Sequence, residues 1–144
     1  MIVIVNDERW ITEGIIDYLE DKSEKIDIRY TPEFFSTPIE ALGFIMNNAD
    51  EIDIIISDIM MDFGDGNINI ETKGGAHFIN RIRLEKELTN IPIIINTIFH
   101  ISYFENELNH NIDNEFIFYT NTNNDPDSSK LYEFIDMLLM RTQN

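Results

Sequence analysis

Three apolar runs constrain this chain more than any other feature: Ile2–Val5, Ile54–Ile56 and Ile91–Ile95, the last interrupted only by Pro92. A strand covered on one face alternates apolar and polar residues, whereas a strand buried on both faces reads as a continuous β-branched run. Three such runs in one chain therefore predict the centre of a parallel sheet sandwiched between helices. Each run also stops abruptly at polar residues: Asn6-Asp7-Glu8, Ser57-Asp58 and Asn96-Thr97. In an open α/β sheet the ligand crevice lies just beyond the carboxyl ends of the strands, so these groups are expected on one functional edge. Asp58 has two readings there, a chemical group presented by a buried strand or a carboxylate that only caps the next helix.

The segments between the runs have the periods such a sheet requires. Trp10, Ile11, Ile15, Ile16 and Leu19 fall at helical spacing, with Asp21-Lys22-Ser23 as the expected stop. Ile26 to Tyr30 alternates like a half-covered strand nearer a sheet edge. Ser36-Thr37-Pro38 predicts a helix start with a capping hydroxyl ahead of a first-turn proline, and Ile39, Leu42, Phe44, Ile45 and Met46 supply its apolar face. Helical spacing resumes over Ala76 to Leu88 and, weakly, over Ile101 to Leu108. Phe116 to Tyr119 is the expected fifth strand and Asn121 to Asp127 a turn-rich linker. Asp127 or Ser128 then caps a helix whose face is Leu131, Phe134, Ile135, Leu138 and Leu139. Five strands alternating with helices, joined by right-handed crossovers, predict one α/β domain over residues 1–144. The simplest topology is a flavodoxin-like, doubly wound five-stranded parallel sheet in the order 2-1-3-4-5, with helices on both faces.

Composition narrows the partners. Asp and Glu number 27 against 10 Lys and Arg, a formal charge of −17, which disfavours direct binding to a nucleic-acid backbone and favours a cation or a basic protein surface. With 43% hydrophobic residues the chain still supports a core. There is no cysteine, which removes thiolate chemistry and is compatible with a cytoplasmic location. No stretch has the roughly 20 apolar residues needed to span a membrane, and the start MIVIVNDERW lacks the basic region of a signal peptide.

On the predicted edge, Asn6, Asp7 and Glu8 lie beside Asp58, with Thr97 on the other side. Carboxylates converging in this way repel one another unless a cation sits between them. Hard oxygen donors with an open coordination sphere suit Mg²⁺, which takes one or two carboxylates and keeps several waters. A divalent ion beside Asp58 would neutralise an incoming phosphoryl group, and the Thr97 hydroxyl would hydrogen-bond one of its oxygens.

These residues resemble those of a response-regulator receiver domain of the CheY-like kind, in the segments IVIVNDE, DIIISDIMM, IPIIINT and EFIFY. The resemblance covers nearly the whole chain. It implies that Asp58 is the phosphoacceptor, that Asp7, Asp58 and the Met60 backbone carbonyl hold Mg²⁺, and that Thr97 is the switch hydroxyl. Phe116 falls at the position of an aromatic that changes rotamer. The implied partners are a histidine kinase or phosphotransfer protein and an output protein reached by protein contact, without independent enzymatic turnover.

The chain departs from the family pattern in three places. Asn6 replaces an acid, leaving it to act on a metal-bound water. Tyr119 stands where the family has a phosphoryl-binding Lys, and Lys73 is the one cation expected to reach in from a loop. An insertion at residues 67–75 follows the acceptor. Its alternation Asn67-Ile68-Asn69-Ile70-Glu71 would form a small β-arm ending at Gly74-Gly75, either exposed as a partner or homodimer contact or packed down on the domain. Asn6 and the absent Lys keep a second expectation open, a phosphorylation-independent pseudo-receiver acting as an interaction module. Asp62-Phe63-Gly64 lacks the companions of a kinase motif. Asp65, Asn67 and Asn69 begin a calcium-loop spacing that Ile70 and Ala76 break, and the three histidines show no ligand spacing.

Overall fold

The computed structural model describes residues 1–26, 32–64, 73–113 and 115–142. Five parallel strands, β1 (Ile2–Val5), β2 (Pro32–Phe35), β3 (Ile54–Ser57), β4 (Ile93–Thr97) and β5 (Ile117–Asn121), form one sheet in the order β2-β1-β3-β4-β5. This is the expected doubly wound topology. The helices are α1 (Arg9–Ile26), α2 (Pro38–Asn47), α3 (Gly74–Leu84) and α4 (Ser129–Thr142).

Successive residues of a strand point to opposite faces, and each central strand therefore feeds two cores. Val3, Val5, Ile55, Ile93 and Ile95 pack with α2 and α3 through Ala41, Ile45, Phe78, Ile79 and Ile82. Ile2, Ile4, Ile54, Ile56, Ile94 and Phe118 pack with α1 and α4 through Ile15, Leu19, Leu131, Ile135 and Leu138. All four residues of β1 and of β3 are buried, which accounts for the unbroken apolar runs.

Several boundaries differ from the sequence expectation. α1 runs through Asp21-Lys22-Ser23 to Ile26; the Ser23 hydroxyl donates to the Leu19 carbonyl 2.8 Å away, bonding back along the helix instead of breaking it. Ile26 thus ends a helix, and the strand expected over Ile26 to Tyr30 is β2 at Pro32–Phe35; residues 27–31 lie outside those described. Pro32 is tolerated because it opens an edge strand. Among the described residues the Thr37 hydroxyl caps nothing and is buried without a partner, while the Ile39 N–H at the start of α2 donates to the Phe63 carbonyl at 3.0 Å. α3 begins at Gly74 and ends at Leu84, with Lys86–Leu88 a separate 3₁₀ turn.

The helix expected over Ile101 to Leu108 is two 3₁₀ turns, Ile101–Tyr103 and Glu105–Glu107, whose one fully buried anchor is Phe104. β4 starts after Pro92, and β5 starts one residue after Phe116 and continues two beyond Tyr119. At the start of α4 the Asp125 carboxylate accepts the Lys130 and Leu131 N–H groups while Asp127 accepts that of Ser129. Among the described residues no helix is long and apolar enough to cross a membrane.

Candidate phosphoacceptor site

The carboxyl ends of β1, β3 and β4 lie side by side because these strands are sequential neighbours in the sheet. Asp58 is the first residue past β3, and its N–H continues the ladder by donating to the Val5 carbonyl at 3.1 Å. Across the β1 end, the Asn6 N–H donates to the Phe35 carbonyl and the buried Asn6 Oδ1 accepts the Glu8 N–H at 2.8 Å. This side-chain turn leads the chain into α1 and leaves Asp7 exposed at the rim. The Asn6 carbonyl is therefore already a backbone acceptor, with its second lone pair left for a water.

The Asp58 carboxylate is half-buried and well furnished with donors. Oδ1 accepts the Ile59 N–H at 2.7 Å, and the Thr97 hydroxyl and Met60 N–H lie near enough to favour the charged form of the group. Burial raises its pKa above the ordinary carboxylate value; the Thr97 hydroxyl and the two N–H groups oppose that rise, and the Asp7 charge adds to it. Asp7 is raised as well, first by partial desolvation and then by the neighbouring Glu8 charge, against its own backbone N–H. Thr97, the last residue of β4 and 2% exposed, also accepts the Phe99 N–H on Oγ1 at 3.4 Å. The structure thus brings Asp7, Asp58 and Thr97 into one electrostatically coupled group.

Gly74 and Gly75, read from the sequence as the end of a β-arm, form the first turn of α3 and pack against the acceptor loop. Gly75 N–H donates to the Ile59 carbonyl at 2.9 Å and Gly74 N–H to the Met61 carbonyl at 2.8 Å. A Cβ on Gly75 would stand 1.9 Å from the Asp58 carbonyl oxygen, and one on Gly74 would stand 2.3 Å from that of Met61. No side chain fits between α3 and the loop carrying Asp58 and Met60. Sequence reasoning missed this role, although a Gly-Gly pair heading an apolar helix is its available signal. The inserted segment closes at its base through a bridge between Met61 and Lys73. The proposed arm over 67–71 and the calcium-like spacing from Asp65 fall outside the described residues.

The two substitutes for the family lysine are placed elsewhere. Lys73 forms an ion pair with Glu107 in the second 3₁₀ turn. Tyr119 lies within β5, its ring 5.8 Å from that of Phe104, and its hydroxyl donates to the Phe99 carbonyl at 2.8 Å. Phe116 is partly exposed just ahead of β5; its carbonyl accepts Arg83 Nη2 and its N–H goes to Asp113. Asp62 accepts the Gly64 N–H in a tight turn, as befits a chance match to a kinase motif.

The donor set fits a hard divalent cation. The Asp7 charge raises the cost of ionising Asp58, the Met60 carbonyl lies two residues past the acceptor, and every candidate ligand atom is oxygen. Among the described residues no three acidic or histidine side chains converge on one point, so such an ion would rely on water for the rest of its shell.

Neither a family model nor a curated protein sequence matches the chain. Solved structures do match, and they share the receiver fold. A putative response regulator from Chloroflexus aurantiacus superposes with a TM-score of 0.62 at 20% identity, over 96% of this chain and 96% of that one. The phosphorylated cyanobacterial phytochrome response regulator RcpA has a TM-score of 0.62 at 15% identity, over 95% and 86%. The Mn²⁺-bound form of response regulator Rcp1 has a TM-score of 0.55 at 17% identity, over 95% and 87%. The fold is therefore that of the CheY-like receivers. At these identities the likeness establishes architecture, and the chemistry rests on the residues above.

Proposed function

We propose that the chain acts as a single receiver-like domain in the cytoplasm, taking a phosphoryl group on Asp58 from a histidine kinase or phosphotransfer protein. The signal then passes to an output protein by contact. The observation that carries this reading is the half-buried Asp58 carboxylate at the end of β3, bonded to the Ile59 N–H, with the Thr97 hydroxyl and the Asp7 charge near enough to act on it. In the transfer, a carboxylate oxygen forms the new O–P bond as the donor's N–P bond breaks, and the electron pair leaves on the donor imidazole. Asp58 orients that oxygen through the Ile59 N–H, and Thr97 supplies a hydroxyl to the arriving phosphoryl group.

Mg²⁺ held by Asp7, Asp58 and the Met60 carbonyl, with Asn6 acting through water, would supply the positive charge that the missing lysine does not. The receiver fold shared with a phosphorylated and a Mn²⁺-bound regulator is consistent with both steps. Incubation with Mg²⁺ and acetyl phosphate or phosphoramidate should give an acid-stable, base-labile mass gain of one phosphoryl group, absent in Asp58→Asn and reduced in Asp7→Asn. No adduct with any donor would overturn the assignment.

One observation favours a second reading, a pseudo-receiver that works without phosphorylation. The Tyr119 hydroxyl is committed to Phe99 and Lys73 to Glu107, so neither donor is directed at Asp58. The same mass experiment separates the two.

A further inference from the structure

The connection from β4 to β5 is fastened to α3 by polar bonds more than by packing. Its two ends are fixed. Phe104 is fully buried at one, and at the other Asp113 Oδ1 accepts the Phe116 and Ile117 N–H groups at 2.9 and 3.1 Å. Between them, over residues 105–112, no side chain is fully buried, and only Leu108 and Ile112 pack partly against the core.

In place of an apolar contact, α3 supplies a clasp. Asn80 Nδ2 donates to the Glu107 carbonyl at 2.7 Å, and Asn80 Oδ1 accepts the Asn109 N–H at 2.9 Å. One side-chain amide thus satisfies a backbone acceptor and a backbone donor with its two ends. Lys73, seven residues earlier and so about two turns back on the same helix face, pairs with the Glu107 carboxylate.

Lys73 is held from the other side as well. Its backbone bridges Met61, and the two glycines that follow donate to the Met61 and Ile59 carbonyls. A single residue therefore joins the acceptor loop, through its main chain, to the β4–β5 connection, through its side chain. Gly74 and Gly75 leave no slack between α3 and the loop, so a displacement of the loop carries Lys73 and Asn80 with it.

Hydrogen bonds and ion pairs in contact with solvent are individually weak, and a segment with few buried apolar side chains opens ahead of the whole domain. We propose that residues 105–112 form a strap that opens from α3 as one unit, with Lys73 and Asn80 as positioning residues that couple it to the acceptor loop. Seating α3 on the loop aligns the clasp, and displacing the loop loosens it. The strap is thereby the segment that reports the state of the acceptor loop. That meaning rests on the receiver reading, whereas the coupling holds with or without phosphorylation.

The test is amide exchange in the full chain. Asn80→Ala should raise exchange at Glu107 and Leu108 about 25-fold, about fivefold for each bond lost, and Asn80→Asp, which keeps the acceptor and loses the donor, about fivefold. β1 and β3 should stay protected. The Glu107 and Leu108 N–H groups bond within their own turns and not to Asn80, so their response reads the opening of the strap. Gly74→Ala, whose Cβ would stand 2.3 Å from the Met61 carbonyl oxygen, displaces α3 from the loop. It should raise strap exchange in the parent and add nothing in a Lys73→Met/Asn80→Ala background.

Unchanged exchange at Glu107 and Leu108 in Asn80→Ala, or an equal effect of Gly74→Ala in both backgrounds, would overturn the proposal. If Gly74→Ala does not fold, the reverse direction decides, because coupling is reciprocal: Lys73→Met/Asn80→Ala should speed exchange of the Gly74 and Gly75 N–H groups, and no change there would equally overturn it. None of these readouts needs a phosphodonor. A coupled strap in a protein that accepts no phosphoryl group would leave the device standing and remove only its receiver input.

Discussion

Gly75→Ala tests how tightly α3 is seated on the acceptor loop. In an ordinary helix this change is favourable by up to about 1 kcal/mol, because alanine loses less backbone entropy. Here the new Cβ would meet the Asp58 carbonyl oxygen at 1.9 Å and the Ile59 Cα at 2.6 Å, both backbone atoms that cannot rotate away. Restoring a normal separation requires α3 or the loop to move by more than an ångström. That movement stretches the 2.9 Å bond from Gly75 N–H to Ile59 and the 2.8 Å bond from Gly74 N–H to Met61. Overpacking of this sort costs about 1–3 kcal/mol, and two weakened backbone bonds add about 1 kcal/mol each. A net loss of about 3 kcal/mol follows, equivalent to about 10 °C in Tm for a chain of this size. Gly43→Ala is the internal control, since α2 leaves nothing within 4 Å of its Cβ; it should gain up to about 1 kcal/mol. Urea denaturation of both variants provides the measurement. A Gly75→Ala protein at least as stable as the parent, with Gly43→Ala gaining as expected, would refute the claim that this contact fixes the acceptor loop.

Asp58→Asn should stabilise the unphosphorylated protein at neutral pH. Burial raises the folded-state pKa of Asp58 above the ordinary carboxylate value, so the folded state holds the proton more tightly and stability is lost as pH rises through the folded pKa. Urea midpoints should therefore favour the Asn variant at pH 7 and converge with the parent well below pH 3.8; an equal gain at both pH values would sink the argument. Arg83→Met should destabilise by about 3 kcal/mol or more, because unsatisfied buried carbonyls cost about 1–3 kcal/mol each. Arg83, 8% exposed as a residue, donates through its guanidinium at 2.9 Å to the carbonyls of Leu88, Ile91 and Phe116. Thermal denaturation reads the loss, and a change below 1 kcal/mol would mean that water replaces the guanidinium without difficulty.

The three central strands were legible because burial on both faces writes itself into the sequence as Ile2–Val5, Ile54–Ile56 and Ile93–Ile95, and the sheet order followed from them, whereas the edge strand β2 was expected too early, over Ile26 to Tyr30. Asp7, Asp58 and Thr97 were legible for the same reason, since each stands where such a run stops. Element ends were not, because contacts distant in sequence decide them. α1 continues to Ile26 through five polar residues, Asp21 to Lys25. Ile101 to Leu108 has one deep anchor, Phe104, too few for an amphipathic face, and it forms 3₁₀ turns. Arg83 reads as an exposed helix residue until the chain past Leu88 and the approach to β5 bring it three carbonyls.

The same distinction explains how the acceptor edge is built. Local sequence delivers a carboxylate to a strand end, but its environment comes from elements that meet it only in the folded chain. Gly75 arrives from the far end of the insertion, and Tyr119 acts from β5 without being directed at Asp58. Position 119 illustrates the limit: alignment by strand order assigns it to the phosphoryl group, whereas its hydrogen bonds assign it to the loop that carries Thr97. A residue type that departs from a family pattern need not be a defective copy of the expected one. Here a neutral hydroxyl makes a contact that an ammonium group, with donors only, would not share with Asn121.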